Sequence, residues 1–152
     1  MELAEFLAQA KISAYASQDQ GGYELLEDGS CEFVYSHGDL SYRDRYFGFC
    51  AFAGEEVVFC KGKPLWVMNY CGELANAEVA ADETYAFLGK AMAQVSDAVP
   101  FRGPKLFSEG KFVYLNHVEG ELGRFKGEEF ILFAGEKAYR LYYCGGLLRW
   151  RS

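Results

Sequence analysis

The sequence predicts an α+β protein, built from two helix-plus-antiparallel-meander units related by a pseudo-two-fold axis. A stretch that begins at Gly54 recurs at Gly127 with a constant offset of 73 residues, and seven of its nineteen positions are identical. Two other segments have the apolar spacing of helices, and the remaining apolar runs are short, as in meanders. We therefore interpret the chain as internally duplicated, a single domain of two repeats at approximately residues 1–76 and 77–152.

Two amphipathic helices are predicted, over residues 2–16 and 82–97. Each segment repeats its apolar side chains at intervals of three and four residues, which places them on one helical face. Asp82 is a candidate N-cap for the second helix, and Pro100 prevents that helix from continuing further. The apolar positions are Leu3, Phe6, Leu7, Ala10 and Ala14 in the first helix and Phe87, Leu88, Ala91, Met92 and Val95 in the second.

The rest of the chain is predicted to form strands separated by glycine turns. Glycine readily adopts the positive φ angles of tight hairpins, so antiparallel meanders are expected in both halves. The predicted strands are Glu32–Ser36, Asp39–Phe47, Glu56–Cys60 and Leu65–Cys71, followed by Lys111–Asn116, Glu121–Phe125, Glu129–Phe133 and Ala138–Cys144. The predicted turn glycines are Gly29, Gly38, Gly62, Gly110, Gly120 and Gly135.

The last predicted strand of each half shows which of its faces belongs to the core. Alternate side chains of a strand point to opposite faces of the sheet. In both halves one face of this strand is large and mostly apolar, and we expect it to pack under the helix. The residues of that face are Trp66, Met68 and Tyr70 in the first half and Tyr139, Leu141 and Tyr143 in the second.

Length and charge narrow the classes of function. A chain of 152 residues buries roughly 68–70% of the surface that its unfolded form exposes, which suffices for one core without disulfides or metal. Nucleic-acid affinity depends largely on lysine and arginine, whereas this chain has a net charge of −7. We therefore expect no direct nucleic-acid partner, while the oligomeric state is open.

The sequence also predicts a cytoplasmic protein with no membrane segment. Its apolar stretches are far shorter than the ~20 residues that cross a bilayer, and Glu2 and Glu5 occupy the place where a signal peptide would be basic. Five cysteines without a Cys-x-x-Cys pair indicate buried free thiols in a reducing compartment. Because common cofactor motifs are missing and His37 and His117 lack a ligand cluster, we expect no cofactor and no metal.

A series of short motifs runs through the chain. In order, they are Ala10-Lys11, Ala14-Tyr15-Ala16, Tyr42-Arg43-Asp44-Arg45-Tyr46-Phe47-Gly48, Gly54-Glu55-Glu56-Val57-Val58, Lys61-Gly62-Lys63-Pro64, Trp66-x-Met68-Asn69-Tyr70-x-Gly72, Pro100-Phe101-Arg102-Gly103-Pro104 and Tyr143-Cys144-Gly145-Gly146. Over nearly its whole length the chain thereby resembles the DUF5680 family of uncharacterised bacterial and archaeal domains. It departs from the family pattern at Phe101, where tyrosine is frequent, and at Cys71, where an aromatic residue is common.

That resemblance has limited functional content, because the family has no established activity. Several of its members carry a helix-turn-helix segment ahead of this domain, which implies a sensory or interaction role. The present chain starts directly in its first predicted helix, so we expect no such segment here.

Two pairs of glutamates begin corresponding strands, Glu55-Glu56 and Glu128-Glu129. A duplicated acid near a two-fold axis brings two carboxylates together for acid–base or metal chemistry. Adjacent residues of a strand point in opposite directions, so only one glutamate of each pair can face a shared site. We favour solvated strand ends over catalysis at these positions.

Aromatic residues make up 17% of the chain, and several polar residues are interspersed among them. Aromatic walls with a few placed polar groups are typical of small-molecule sites. The alternative is that the tyrosines are core and rim residues of the sheet whose hydroxyls reach solvent. The candidate ligand-binding residues are Tyr42, Asp44, Tyr46, Glu56, Trp66, Asn69, Tyr70, Arg102, Tyr114, Glu129 and Tyr143.

Arg102 is the strongest single candidate. Pro100, Gly103 and Pro104 restrict the loop that carries it, so its guanidinium is presented from a stiff support. It could pair with a carboxylate such as Asp44 or with an anionic ligand. The alternative is an arginine that caps carbonyls or bridges surface acids.

Two main classes of function stay open. The first is a non-enzymatic sensor or binding module that accepts a small molecule or a protein partner between the repeats. The second is an acid–base enzyme, a hydrolase or transferase, that uses Glu56 and Glu129 or Asp44 with Arg102. An apolar cleft with few titratable groups favours binding, and converging acids with different pKa values favour an enzyme. A purely structural interaction domain would instead show an exposed apolar patch.

Overall fold

The computed structural model describes residues 1–16 and 22–152, and most of these residues form antiparallel strands. Two helices are present in the described part, α1 (Leu3–Ala16) and α2 (Ala81–Met92). The strands are β1 (Glu24–Leu25), β2 (Cys31–His37), β3 (Leu40–Gly48), β4 (Ala51–Cys60), β5 (Lys63–Leu74), β6 (Leu106–Glu109), β7 (Phe112–Glu121), β8 (Arg124–Phe133) and β9 (Glu136–Leu147).

All of these strands belong to one sheet, in the order β1-β2-β3-β4-β5-β9-β8-β7-β6. We call β1 to β5 the first half-sheet and β6 to β9 the second half-sheet. Each is a meander, and the two join edge to edge where β5 pairs with β9. Tyr70 lies opposite Tyr143 at the centre of that pairing, so residues at corresponding positions of the sequence repeat meet in the middle of the sheet.

The predicted α+β class is therefore wrong, and the protein is largely β. The two described helices have 14 and 12 residues, whereas the sheet has nine described strands, of which β5 and β9 alone have 12 residues each. Strands are long here because pairing continues beyond the predicted strands, through Ala51–Gly54 of β4 and through Lys126–Gly127 of β8. The two meanders also share one sheet instead of forming separate helix-plus-meander units. Their origin by duplication, and the division near residues 76 and 77, remain predictions.

Two tight turns follow directly from the sequence. The turn between β4 and β5 has positive φ angles at Lys61 and Gly62, and the turn between β8 and β9 has them at Ala134 and Gly135. Positive φ at both central residues is the geometry that suits the twist of a two-residue hairpin. The glycines predicted at these two turns are confirmed.

Several predicted element boundaries are wrong. Helix α2 ends at Met92 instead of residue 97, and its N-cap is Ala80 without a side-chain cap, so Asp82 lies in the first turn. The segment 121–125, predicted as a strand, contains the turn between β7 and β8. Strands β1 and β6 were not predicted, because each is too short to show a pattern.

Both helices cover the same face of the sheet. Phe6 of α1 contacts Tyr35 of β2, and Phe87 of α2 stacks on Phe112 of β7 with ring centroids 5.0 Å apart. The predicted core faces are confirmed, since every one of the following side chains is buried: Trp66, Met68, Tyr70, Tyr139, Leu141 and Tyr143. The core therefore lies between the helices and the middle of the sheet.

The opposite face of the sheet is largely exposed. It carries exposed Asn69, Cys71, Tyr142 and Cys144 on the two central strands. The expectation of buried thiols is wrong, because none of the five cysteines is buried and three of them are exposed. Neither helix of the described residues is long and apolar enough to span a membrane.

Candidate functional site

Two networks of buried polar side chains lie on the helix-covered face, one in each half-sheet. In the first half-sheet Asp44 of β3 pairs in register with Glu56 of β4. In the second, Asn116 of β7 pairs in register with Glu129 of β8. All four side chains are buried. Because buried polar groups must find partners, each network recruits residues from the surrounding elements.

Glu129 is the centre of the second network and has no solvent exposure. The Arg102 guanidinium donates to both of its carboxylate oxygens, with Nη2 to Oε1 at 2.7 Å. The hydroxyls of Tyr114 and Tyr139 also donate to it, the latter at 2.8 Å. Burial opposes the charge on Arg102, but Glu129 and the nearby tyrosines outweigh it and raise the guanidinium pKa. This network is a closed, charge-balanced unit.

Glu56 has the corresponding place in the first network. Its partners are the Lys11 ammonium of α1, at 3.0 Å, and the Tyr42 hydroxyl, which donates at 2.6 Å. Lys11 also donates to the carbonyl of Phe101, which ties α1 to the loop before Arg102. Burial lowers the pKa of Lys11, and the charge of Glu56 partly offsets that effect.

Asp44 and Asn116 occupy corresponding positions and differ in charge. Asn116 accepts a hydrogen bond from the Tyr143 hydroxyl at 2.8 Å and donates through Nδ2 to the carbonyl of Gly103 at 2.9 Å. Asp44 accepts from the Tyr70 hydroxyl at 2.5 Å and from the Tyr23 hydroxyl at 2.6 Å. Asp44 thus has two neutral donors, and no cation among residues 1–16 and 22–152 forms an ion pair with it.

The acidity of Asp44 follows from this setting. Burial raises its pKa, and the nearby Glu56 carboxylate raises it further, while the Tyr23 and Tyr70 hydroxyls lower it. The result is a pKa of about 6. Asp44 is consequently an acid whose charge changes close to neutral pH.

Two glycines make room for the tyrosines that reach Asp44 and Asn116. Gly54 lies opposite Tyr70, and Gly127 lies opposite Tyr143. A Cβ atom at Gly54 would overlap the Tyr70 ring and hydroxyl, and one at Gly127 would overlap those of Tyr143. The absence of a side chain therefore lets each tyrosine cross its neighbouring strand and place its hydroxyl on the polar partner.

A cavity of about 340 Å³ opens beside Asp44. It lies between the first half-sheet, α1, α2 and the loop of Arg102, and seven of its twelve lining residues are aromatic. The lining residues are Tyr15, Tyr23, Asp44, Tyr46, Gly48, Phe49, Phe52, Tyr70, Tyr85, Leu88, Gly89 and Arg102. Its volume falls at the lower end of the range for small-molecule sites.

The rings of this cavity hold each other in place. Phe52 has edge contacts with Tyr46, Tyr70 and Tyr85, at centroid distances of 6.2 to 6.4 Å. Tyr85 also contacts Phe49 at 5.1 Å and donates its hydroxyl to the Phe49 carbonyl. Edge contacts of this kind stabilise aromatic clusters and fix ring orientation. The cavity wall is therefore held in shape by contacts between its own side chains.

The structure brings most of the candidate residues into these two networks. Those at the cavity are Asp44, Tyr46, Tyr70 and Arg102, and those in the buried networks behind it are Tyr42, Glu56, Tyr114, Glu129 and Tyr143. Trp66 is instead a core residue whose Nε1 donates to the Leu122 carbonyl at 3.1 Å. Asn69 is exposed on the opposite face, away from the cavity.

Two interpretations of the charged candidates need correction. Glu56 and Glu129 are buried and paired, so the preference for solvated strand ends is wrong. Only Glu56 of its pair is buried while Glu55 is exposed, which confirms that adjacent glutamates face opposite sides. Arg102 is paired with Glu129 instead of Asp44. Its loop is held on the second half-sheet by the hydrogen bonds of Gly103 with Tyr114 and Asn116.

Sequence reasoning missed several residues of the site. One was detectable, since Lys11 lies four residues after Leu7 on the apolar face of α1 and so required a buried acid partner. Tyr23 has no such signal, because it precedes a strand of two residues. The cavity residues that were missed are Tyr15, Tyr23, Gly48, Phe49, Phe52, Tyr85, Leu88 and Gly89.

No cluster suited to a metal ion is found within the described ranges, where three or more histidine, cysteine or acidic side chains never converge. The two histidines are exposed on the surface. Every buried side-chain polar atom of the described residues has a hydrogen-bond partner.

Over residues 1–16 and 22–152, fold and site together define a single-sheet β protein with two helices on one face and a small aromatic cavity beside a buried acid. The model of one family, described as a domain of unknown function (DUF5680), matches residues 44–148. The chain belongs to this family, and the match covers Asp44 and most of the cavity. No curated protein and no solved structure matches the chain.

Proposed function

We propose that this protein is a non-enzymatic module that binds a small molecule in the aromatic cavity beside Asp44. The observation that carries this proposal is the cavity itself, about 340 Å³ in volume, whose described lining residues include seven aromatic side chains and one acid, Asp44. Such a site has the makeup of small-molecule pockets, in which apolar walls supply contact area and a few polar groups fix orientation.

The position of the cavity supports a sensory role. Strands β3, β4 and β5 form its floor, whereas α2 and the Arg102 loop, which connect to the second half-sheet, form its cover. A ligand in this place contacts elements from both halves of the chain. A ligand that binds only when these elements are in contact would stabilise that contact, so occupancy of the cavity would change how firmly the two halves are held together.

A binding screen with two neighbouring aromatic substitutions tests the proposal. Tyr46→Ala removes one wall of the cavity, while Phe47→Ala removes an exposed ring from the other face of the same strand. We expect a compound from a metabolite library to raise the melting temperature of the wild type and of Phe47→Ala. Its affinity for Tyr46→Ala should be at least about tenfold weaker.

Two results would contradict the proposal. One is that no compound binds with a Kd below about 1 mM. The other is that every compound found binds Tyr46→Ala and the wild type equally, which would place the binding elsewhere on the surface.

A second candidate function is an acid–base enzyme, and one observation favours it. Asp44 has a pKa of about 6 and lines a cavity, with Glu56 behind it, and a general acid or base needs a pKa near the working pH. Turnover of a compound from the screen, lost in Asp44→Asn with binding retained, would favour the enzyme. Unchanged compound after prolonged incubation with stoichiometric protein favours the binding module.

A further inference from the structure

The buried acidic and basic side chains of the described residues, leaving aside the tyrosines, do not balance in charge. They are Lys11 and Arg102 on one side and Asp44, Glu56 and Glu129 on the other. With all of them ionised, the interior carries one uncompensated negative charge. Burying an unpaired charge is unfavourable, so this excess requires a reason.

The pairing shows where the excess lies. Arg102 is engaged by Glu129 and Lys11 by Glu56. The carboxylate of Asp44 is left with two tyrosine hydroxyls, which are donors without charge. The unpaired negative charge is therefore at the cavity surface, where a ligand can reach it.

The fold itself does not demand a carboxylate at this place. The corresponding position of the second half-sheet is Asn116, a neutral residue of nearly the same shape, and it accepts from Tyr143 as Asp44 accepts from Tyr70. No lining residue of the aromatic cavity comes from the half-sheet around Asn116. Of these two corresponding positions, the one at the aromatic cavity carries the charged Asp44, and the one away from it carries the neutral Asn116.

The aromatic walls of the cavity also favour a positively charged ligand. The faces of tyrosine and phenylalanine rings attract cations within about 6 Å, and the attraction grows when water is excluded. One cation already uses this wall, since the Arg102 guanidinium lies 5.6 Å from the centroid of the Tyr70 ring. That guanidinium lowers the pKa of Asp44 from a distance, but its ion pair is with Glu129, so Asp44 has no ion-pair partner of its own among the described residues. The net charge of −7 on the whole chain also favours the approach of a cation.

We propose that the cavity binds a compact organic monocation, a protonated or quaternary amine, whose charge compensates Asp44 and whose apolar part contacts the aromatic walls. This inference rests on the proposed function, because it names the ligand class of the same cavity. An organic cation satisfies both features of the site at once. A neutral ligand leaves the charge of Asp44 unbalanced, and an anion adds to it.

Three probes of similar size and different charge test the inference. They are benzyltrimethylammonium, benzyl alcohol and benzoate, each titrated into the whole chain at neutral pH and low salt by isothermal titration calorimetry. We expect the cation to bind at least about tenfold more tightly than the alcohol, and benzoate to bind most weakly. Competition by the cation against a compound that depends on Tyr46 would locate it in the cavity.

Two matched variants isolate the charge. Asp44→Asn copies the residue at position 116, whereas Glu55→Gln removes one exposed charge from the other face of β4. We expect Asp44→Asn to reduce the affinity for the cation by at least about tenfold and to leave the affinity for benzyl alcohol unchanged. Glu55→Gln should change neither affinity. The comparison of the three probes on the wild type needs no variant, so it decides the question even where Asp44→Asn does not fold.

The outcomes separate this inference from the proposed function. If benzyl alcohol or benzoate binds the cavity as tightly as the cation does, the inference is overturned and the binding module stands. If the cation binds equally well to Asp44→Asn and the wild type, the inference is likewise overturned. Absence of binding by all three probes overturns the inference, and the library screen then decides the proposed function separately.

Discussion

The first and second half-sheets use the same positions to build two different interiors. In the second, Glu129 has Arg102 as its cation, and Asn116 adds no charge. In the first, Glu56 has Lys11 as its cation, but Asp44 adds a second carboxylate. Only the first adjoins the aromatic cavity. The comparison indicates that the second network serves stability, whereas the first gives up some stability for a charged surface that a ligand can reach.

Loss of Arg102 should have the largest effect on stability. Arg102→Met leaves Glu129 buried without a cation, and breaking a buried pair in this way costs about 3–5 kcal/mol. The matched control is Arg140→Met, because Arg140 pairs with Glu73 on the exposed face, where a pair contributes at most about 1 kcal/mol. Urea denaturation measures both. Equal losses of unfolding free energy in the two variants would show that the buried pair contributes no more to stability than the exposed pair.

Asn116→Asp gives the second half-sheet the charge pattern of the first and should have the next largest effect. In the wild type, Asn116 donates a hydrogen bond to the Gly103 carbonyl. In the variant a carboxylate, which cannot donate, faces that carbonyl. Loss of that bond and burial of an extra charge should cost about 2–4 kcal/mol at neutral pH. Asn69→Asp is the control on the exposed face and should stay within about 0.5 kcal/mol. An Asn116→Asp variant as stable as the wild type in urea denaturation would contradict the comparison.

The raised pKa of Asp44 predicts a specific dependence of stability on pH. In the folded protein its pKa is about 6, against 3.8 without the fold. Between these two pKa values Asp44 is protonated in the folded protein and ionised in the unfolded chain. Its protonation therefore stabilises the folded protein fully below pH 3.8, and this stabilisation is lost as the pH rises through about 6. The unfolding free energy of the wild type minus that of Asp44→Asn should therefore fall by about 2–3 kcal/mol from pH 4 to pH 7.

Denaturant unfolding of the two proteins at several pH values measures this difference. Subtracting the Asp44→Asn values removes the contribution of most other acids. A difference that is flat between pH 4 and pH 7, or that rises, would contradict the raised pKa.

The smallest expected effect distinguishes the two central tyrosines. Tyr70→Phe removes a donor from a carboxylate, whereas Tyr143→Phe removes a donor from a neutral amide. Hydrogen bonds to charged groups contribute about 1.5–3 kcal/mol, and those between neutral groups about 0.5–1.5 kcal/mol. Above the pKa of Asp44 we therefore expect Tyr70→Phe to be the more destabilised variant in thermal unfolding. At pH 4, where Asp44 is protonated, the losses of stability in the two variants should become similar. A difference between them that does not change with pH would argue against a hydrogen bond from Tyr70 to an ionised Asp44.

Local features of this fold were predictable from the sequence, while its long-range pairing was not. Alternation along β5 correctly placed Trp66, Met68 and Tyr70 in the core, because side-chain direction in a strand has a period of two. Nothing in a local pattern states that β5 pairs with β9, about seventy residues later. That pairing merges two meanders into one sheet and makes the α+β prediction wrong.

The site shows the same division. The sequence indicated that one glutamate of each pair faces inward, and it singled out Arg102 from the rigidity of its loop. The partner of Arg102 depends on how the loop crosses the sheet, so Glu129 could not be selected over Asp44. The aromatic cavity walls contributed by α2 and by the segment before β1 were missed because their residues meet Asp44 only in the folded chain.

The two strands at the borders of the sheet are also its shortest, with two residues in β1 and four in β6. Each carries an exposed leucine, Leu25 or Leu106, next to a charged residue. Free strand borders offer main-chain hydrogen bonds to other chains, and short, charged borders limit how many can form. An insertion that lengthens β1 or β6 with apolar residues would therefore extend the surface on which copies of this chain can add to one another. The concentration at which the protein starts to aggregate should fall accordingly.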